Sequence, residues 1–368
     1  MANAFGKDKS FLVRSDRPFN GGPPPGRVLE SFITPVPDFF VRAHAVDVPV
    51  VDVGSYALEV GGLVRSPLTC SLSDLRSKFA THQLTATMQC AGNRRDQLIA
   101  IEAIPGEVPW GCEAISNGQW EGVRLSDVLE AAGVDSASGA AHVEFIGLDQ
   151  VDRHGQVFSY GGSIPLDKAR QPEVLLAWSM NGKPLEPIHG FPLRMIIPGY
   201  ICARSVKWLK QINVLGHPSQ NYFQSHAYKL FGSHVRAATV DWNAGVMIGT
   251  TQVTSAITSP GQGASITAGN VRIAGWAIAG ERAVERVEVS ADGGKNWSVA
   301  EFADQQDKPD RWTWRFWEAR VSLSPGHYQI VARATDSAGT TQPPDAKALW
   351  NFKGYMNNAW HRVDVDVR

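Results

Sequence analysis

The stretch from about Gln252 to the C-terminus constrains the fold most, because it consists of short extended segments separated by turn residues. VRIAGWAIAG, AVERVEVSADGGKNWSVAEF, RWTWRFWEARVSL and GHYQIVARATDSAG each read as β structure. In the last, Tyr328, Ile330, Ala332 and Ala334 alternate with Gln329, Val331, Arg333 and Thr335, which predicts one dry and one wet face. Within ADGGKNW, the Asp-Gly pair accepts positive φ and marks a hairpin. Strands at this spacing predict a two-layer all-β domain, which rarely does chemistry itself, so the chemistry is expected upstream.

A chain of 368 residues is long enough for about two domains, each with its own core. From about Phe40 to Gly216, apolar runs alternate with helical patches. YALEVGGLV and HVEFIGL read as strands, and RMIIPG and VKWLKQINVL as buried strands. SLSDLRSKFATH and LSDVLEAAG read as short helices, each with Ser and Asp near its start and a leucine stripe behind. The predicted organisation is an α+β domain over residues 31–245, followed by an immunoglobulin-like all-β sandwich over 246–368. The leading arm, residues 1–30, contains FNGGPPPGRV and is expected to be irregular, because its prolines and glycines block helix and ladder hydrogen bonds.

Several function classes are disfavoured by composition. Net charge is −1, so no global field draws the chain to nucleic acid or anionic lipid. The cysteines, Cys70, Cys90, Cys112 and Cys202, form no CxxC pair, which argues against a disulfide framework and a structural zinc site. The lack of CxxCH argues against covalent haem. No apolar run reaches the ~18 residues of a membrane span. No secretory signal opens the chain, which places it in the cytoplasm as written, or in the periplasm where a leader has been removed.

Cys90 stands out, in LTATMQCAGNRRDQ. Taken singly it reads as a small buried hydrophobe. Arg94 and Arg95 follow it, however, and cations favour the thiolate that a nucleophile or metal ligand needs. A nucleophile would want a base, for which His44 and His189 are available. Further basic clusters are Arg42 with His44, His189 with Arg194, Arg204 with Lys207, and His226 with Tyr228 and Lys229. Each alone reads as a solvated charge or local ion pair. Several lie inside apolar segments, where an unpaired charge is costly to bury, so an anionic cofactor and an anionic substrate are expected.

In order, FFVRAH, MQCAGNRR, HGFPLRMIIPG, GYICARSVKWL, AYK and NNAWHRV resemble the molybdenum domain of the sulfite oxidase family with its attached dimerisation domain. The resemblance covers all but the arm. It implies a molybdopterin-binding α+β domain with the sulfite oxidase fold, in which Cys90 is the protein thiolate on molybdenum and a pterin dithiolene supplies the other sulfurs. It assigns pterin and phosphate binding to Phe40, Val41, Arg42, Ala43, His44, Asp149, His189, Arg194, Ser205, Val206 and Lys207. Arginine suits phosphate as a fork and lysine as a point charge. Ser205 stands where a histidine often appears, so only its backbone is expected to matter.

The resemblance also implies a cationic substrate pocket of Arg42, Arg95, Trp110 and Tyr228, with His44 beside it. Lys353 falls where animal and plant members carry an arginine. The implied activity is molybdenum-dependent oxidation of sulfite to sulfate, with Tyr228 shuttling a proton. The sequence carries no cytochrome b5-like His-Pro-Gly-Gly signature and no flavin or nicotinamide module. No haem is therefore expected in this chain, and electrons should pass to a separate acceptor: a c-type cytochrome, another soluble carrier or dioxygen. A homodimer through the C-terminal domain is expected. Two alternatives stay open: a molybdenum reductase of nitrate or of S- or N-oxides, and a non-catalytic anion-binding or assembly protein.

Overall fold

In a computed structural model, which describes residues 4–134, 139–303 and 311–368, two five-stranded sheets share the main core of the upstream domain. One sheet is ordered Lys183–Pro184, Leu175–Met180, Ile115–Arg124, Thr81–Gln89, with Arg194–Ile196 also paired to Leu175–Met180. The other is ordered Leu68–Cys70, Leu58–Gly62, Leu209–Leu215, His142–Arg153, Gln156–Pro165. Short helices join them. Leu72–Lys78 begins at Ser71, whose hydroxyl accepts from Asp74 N while the Asp74 carboxylate accepts from Ser71 N. It stops earlier than expected: Phe79 is already extended, and the β-branched threonines 81, 85 and 87 carry the chain into Thr81–Gln89. Leu125–Ala132 buries Leu125, Val128 and Leu129 and ends on Gly133 at φ 75°.

The leading arm is more regular than its composition suggests; its first three residues lie outside the described ones. Leu12–Asp16 and Phe19–Gly22 form an antiparallel pair, and Val41–Arg42 adds a third strand. The glycines permit close packing here instead of breaking structure. A Cβ on Gly21 would lie 2.5 Å from Leu12 O, and one on Gly22 2.7 Å from Glu113 O. The arm is thereby tied to the Phe40–His44 segment.

The C-terminal domain is the expected sandwich. One sheet is ordered Thr254–Ser259, Gly269–Ile278, Arg315–Leu323, Glu301–Phe302, and the other Ala264–Ile266, His361–Val367, Gly326–Asp336, Val284–Ser290, Ser298–Val299. Ile257, Ile273 and Trp317 of the first meet Val287, Ile330, Ala332 and Val365 of the second. Val331, expected on the wet face, is buried as well. The same face is roofed by aromatic rings, Arg333 lying 4.0 Å from the Trp297 ring and 5.4 Å from that of Trp360. Among the described residues no helix is long and apolar enough to cross a membrane.

The domains lock together at Arg94, which is fully buried. Expected beside the Cys90 sulfur, its guanidinium instead donates to Thr254 Oγ1 (3.0 Å), Ser255 O (3.1 Å) and Ala359 O (2.7 Å) of the sandwich, and to Gln97 Oε1 (2.9 Å). The 351–360 loop returns the contact, Met356 N donating to Ala91 O at 2.7 Å and Asn357 Nδ2 to Arg94 O at 2.9 Å.

Candidate active site

Cys90 leaves Thr81–Gln89 in a tight turn, where Asn93 N donates to Cys90 O (3.0 Å) and Arg95 N to Gly92 O (3.1 Å). Gly92 lets the Arg95 guanidinium lie against the turn, since a Cβ there would come within 2.3 Å of Arg95 Nη2 and displace it. A parallel bridge between Gln89 and Ile201 brings Cys202 alongside Cys90. The Cys90 sulfur is buried, yet its pKa is pulled below that of an ordinary thiol. Cys202 hydrogen-bonds to it, Arg42 and Arg95 supply positive field, and Gly92 N donates at 3.4 Å. Cys202 was not singled out as a site residue, because a bridge between residues 89 and 201 leaves no local signal.

A cavity open to solvent lies beside this pair. Of the expected residues, Phe40, Val41, Arg42, Ala43, His44, Asp149, His189, Arg194, Ser205, Lys207 and Tyr228 line it; Cys202 and Tyr160 join them. Cys90 lines an adjoining crevice with Gln89, Asn93 and Met356 and reaches the cavity wall through Cys202. Val206 and Trp110 are not on the wall: Val206 is core, and Trp110 packs in a cluster with Cys90 and Ala114.

The wall carries an ordered polar chain. Arg42 donates to Asn20 Oδ1 (3.1 Å) and to Ala43 O, and its Nη2 lies 3.2 Å from His44 Nδ1. Arg153 Nη2 approaches the same nitrogen at 3.5 Å, and His44 Nε2 lies 2.8 Å from Tyr228 Oη. Nδ1 faces two donors, so it must be the acceptor, and Nε2 carries the proton. Burial, with Arg42 and Arg153 nearby, drives the His44 pKa well below its ordinary value and keeps the ring neutral. Nε2–H then donates to Tyr228 Oη, leaving the phenol hydrogen free for the cavity.

The remaining wall is cationic. Arg194 donates to His189 O (3.0 Å) and Ser205 O (3.4 Å), and Lys207 to Ile188 O (3.0 Å). Burial and the Arg194 charge lower the Lys207 pKa to about 7. Ser205 Oγ accepts from Ile197 N at 3.0 Å, so its side chain braces the backbone. Asp149 is the acid among these lining residues; its Oδ1 is buried without a partner, and burial lifts its pKa to about 6. Two arginines and a lysine against one carboxylate leave the wall net cationic, which calls for an anion.

Arg95 and Lys353 are placed differently from expectation. Arg95 donates to Lys353 O (3.0 Å), Gly354 O (3.2 Å) and Val108 O (2.7 Å), and Lys353 Nζ donates to Glu107 Oε1. Glu107 Oε2 also lies 3.6 Å from Arg95 Nη2. Neither cation lines the cavity, and Glu107, a residue the sequence reading passed over, partly neutralises both. Arg204, His226 and Lys229 have structural partners: Arg204 donates to Ile248 O and Phe223 O, while His226 and Lys229 hold Trp242.

Residues 45–223 match the oxidoreductase molybdopterin binding domain, and residues 246–368 the Mo-co oxidoreductase dimerisation domain. The chain is 42% identical over 365 residues to mitochondrial sulfite oxidase of Homo sapiens, covering 97% of this chain and 66% of that protein, just under two thirds of its length. It is 38% identical over 371 residues to sulfite oxidase of Arabidopsis thaliana, covering 96% of this chain and 93% of that one. The crystal structure of the sulfane dehydrogenase SoxCD from Paracoccus pantotrophus superposes with a TM-score of 0.78 at 25% identity, covering 97% of this chain and 88% of the other.

The cavity fits a molybdenum-pterin. Arg42, Arg194 and Lys207 would offer donors to its anionic groups, the orphaned Asp149 oxygen an acceptor to its ring, and Cys90, in the crevice beyond Cys202, a sulfur to the metal. Among the described residues no three His, Cys, Asp or Glu side chains gather to hold a metal alone. Both domains are matched in order, and a relative is shared along almost its whole length. The chain belongs to the sulfite oxidase family.

Proposed function

We propose that the chain oxidises sulfite to sulfate at a molybdenum-pterin in this cavity, with Cys90 on the metal. The observation that carries the reading is the Arg42–His44–Tyr228 chain on the cavity wall beside the Cys90–Cys202 pair. When bound, the molybdenum-pterin supplies the two-electron couple and oxygen transfer, so that sulfite and water give sulfate, two protons and two electrons.

The protein's part is electrostatic and protonic. Arg42, half-buried and already oriented by Asn20 and His44, attracts and aligns the dianion with no reorganisation. Tyr228 Oη, accepting a hydrogen bond from His44 Nε2–H, presents its own hydrogen to substrate or departing product. Arg95 and Lys353 act from behind the wall, as a field trimmed by Glu107. The electrons leave to a separate acceptor such as a c-type cytochrome, and residues 246–368 pair two chains into a homodimer.

The test is sulfite-dependent reduction of ferricyanide by purified chain of known molybdenum content. Reduction that stops when sulfite is withheld supports the reading. A loaded protein that ignores sulfite but oxidises a reduced viologen in the presence of nitrate or an S-oxide would replace it with a reductase.

A further inference from the structure

Lys7 lies in the arm, far in sequence from every residue assigned above, yet it is only 3% exposed. Its Nζ lies 2.8 Å from Val36 O, 3.0 Å from Phe39 O and 2.7 Å from His189 Nε2. An ammonium has three N–H donors, and these three acceptors take them all. Lys7 therefore has no hydrogen left for a ligand, and whatever it contributes passes through its partners. Two of these are carbonyls just before the Phe40–His44 segment. The third is a ring on the cavity wall, held edge-on against Phe39 at 5.4 Å.

Burial opposes the Lys7 charge and lowers its pKa to about 7, while Glu186 and Asp38 support it. An anion in the cavity would support it further. Burial, with Lys7 and the other nearby cations, holds the His189 pKa well below its ordinary value, so the ring is neutral and carries one proton. Its Nε2 faces an ammonium and must keep its lone pair there, so the proton belongs on Nδ1. Among the described residues Nδ1 has no hydrogen-bond partner, and His189 is one of the residues lining the cavity, so a group bound there is the acceptor available to it.

We infer that Lys7 is a positioning residue that fixes His189 as an Nδ1–H donor to the anionic cofactor, making the leading arm part of the cofactor-binding machinery. The inference rests on the proposed molybdenum-pterin reading. For a metal-ligating histidine, losing the partner that sets its tautomer costs about tenfold to a hundredfold in affinity, and the same order is expected for this histidine toward the anionic cofactor.

The test uses the full chain labelled with ¹⁵N-histidine, with and without cofactor, the His189 signal being assigned by its loss in His189→Gln. The expected spectrum has His189 protonated on Nδ1 in the wild type and shifted toward Nε2–H in Lys7→Met. Pterin and molybdenum per chain after gel filtration should fall at least about tenfold in Lys7→Met. An Nε2–H tautomer in the wild type overturns the inference whether or not any variant folds. So does a Lys7→Met or Lys7→Gln protein that keeps both the wild-type tautomer and its pterin. A wild type that never carries pterin or molybdenum would instead overturn the functional reading, and the tautomer would still decide the role of Lys7.

Discussion

The Glu107 carboxylate of the upstream domain accepts a hydrogen bond from the Lys353 ammonium of the C-terminal domain, across the boundary between them. The same carboxylate lies 3.6 Å from Arg95. Glu107→Gln should therefore release positive field toward the cavity, lowering KM for sulfite with less change in kcat. Stability should fall by about 1–3 kcal/mol, because two cations lose the negative charge they share and one of its oxygens becomes an NH2 donor. Steady-state kinetics at several ionic strengths, with urea unfolding, check this; an unchanged KM would mean the charge does not reach substrate.

Tyr228→Phe removes the free phenol hydrogen and leaves the packing largely intact. The expected loss is about 10²–10⁴-fold in kcat with a small change in KM. His44→Gln should lose less, because the phenol hydrogen remains and only its orientation is relaxed. Turnover normalised to molybdenum content measures both.

Cys90→Ser should keep the fold and the pterin, which other residues hold, and lose sulfite turnover. Circular dichroism, pterin content and the ferricyanide assay together check it, and retained turnover would remove Cys90 from the metal.

Arg94→Met tests the clamp between domains. Four acceptors lose a charged donor, two of them backbone carbonyls of the sandwich. A loss of about 3 kcal/mol or more is expected in urea unfolding. Turnover per folded molecule should change little, since the guanidinium points away from the cavity.

The Lys207 pKa of about 7 gives a signed pH dependence. In an unfolded chain a lysine titrates near ~10.4, so between these values the unfolded state binds the extra proton. The stability of cofactor-free protein should then rise with pH across that window; below about 7 both states are protonated and the penalty is fully present. Lys7 acts with the same sign, so the comparison of Lys207→Met with wild type isolates the Lys207 share, expected at less than about 1.4 kcal/mol per pH unit. A bound anion should flatten the slope by raising the Lys207 pKa. Unfolding curves from pH 6 to 10 read this directly.

The sandwich is legible in the alternation of Gly326–Asp336 and in the Asp-Gly turn, and most of the cavity wall is legible because Phe40–His44, Arg194, Ser205 and Lys207 fall in short contiguous motifs. What each cation faces is set by the way distant segments pack. Arg94 and Arg95 are adjacent in sequence, yet one guanidinium enters the sandwich and the other caps carbonyls of the 351–360 loop. Lys7 meets His189 and Cys90 meets Cys202 across separations that no local pattern encodes. The physical reason is that periodicity reports which side of an element is dry, whereas a buried charge is placed by acceptors that distant segments bring to it.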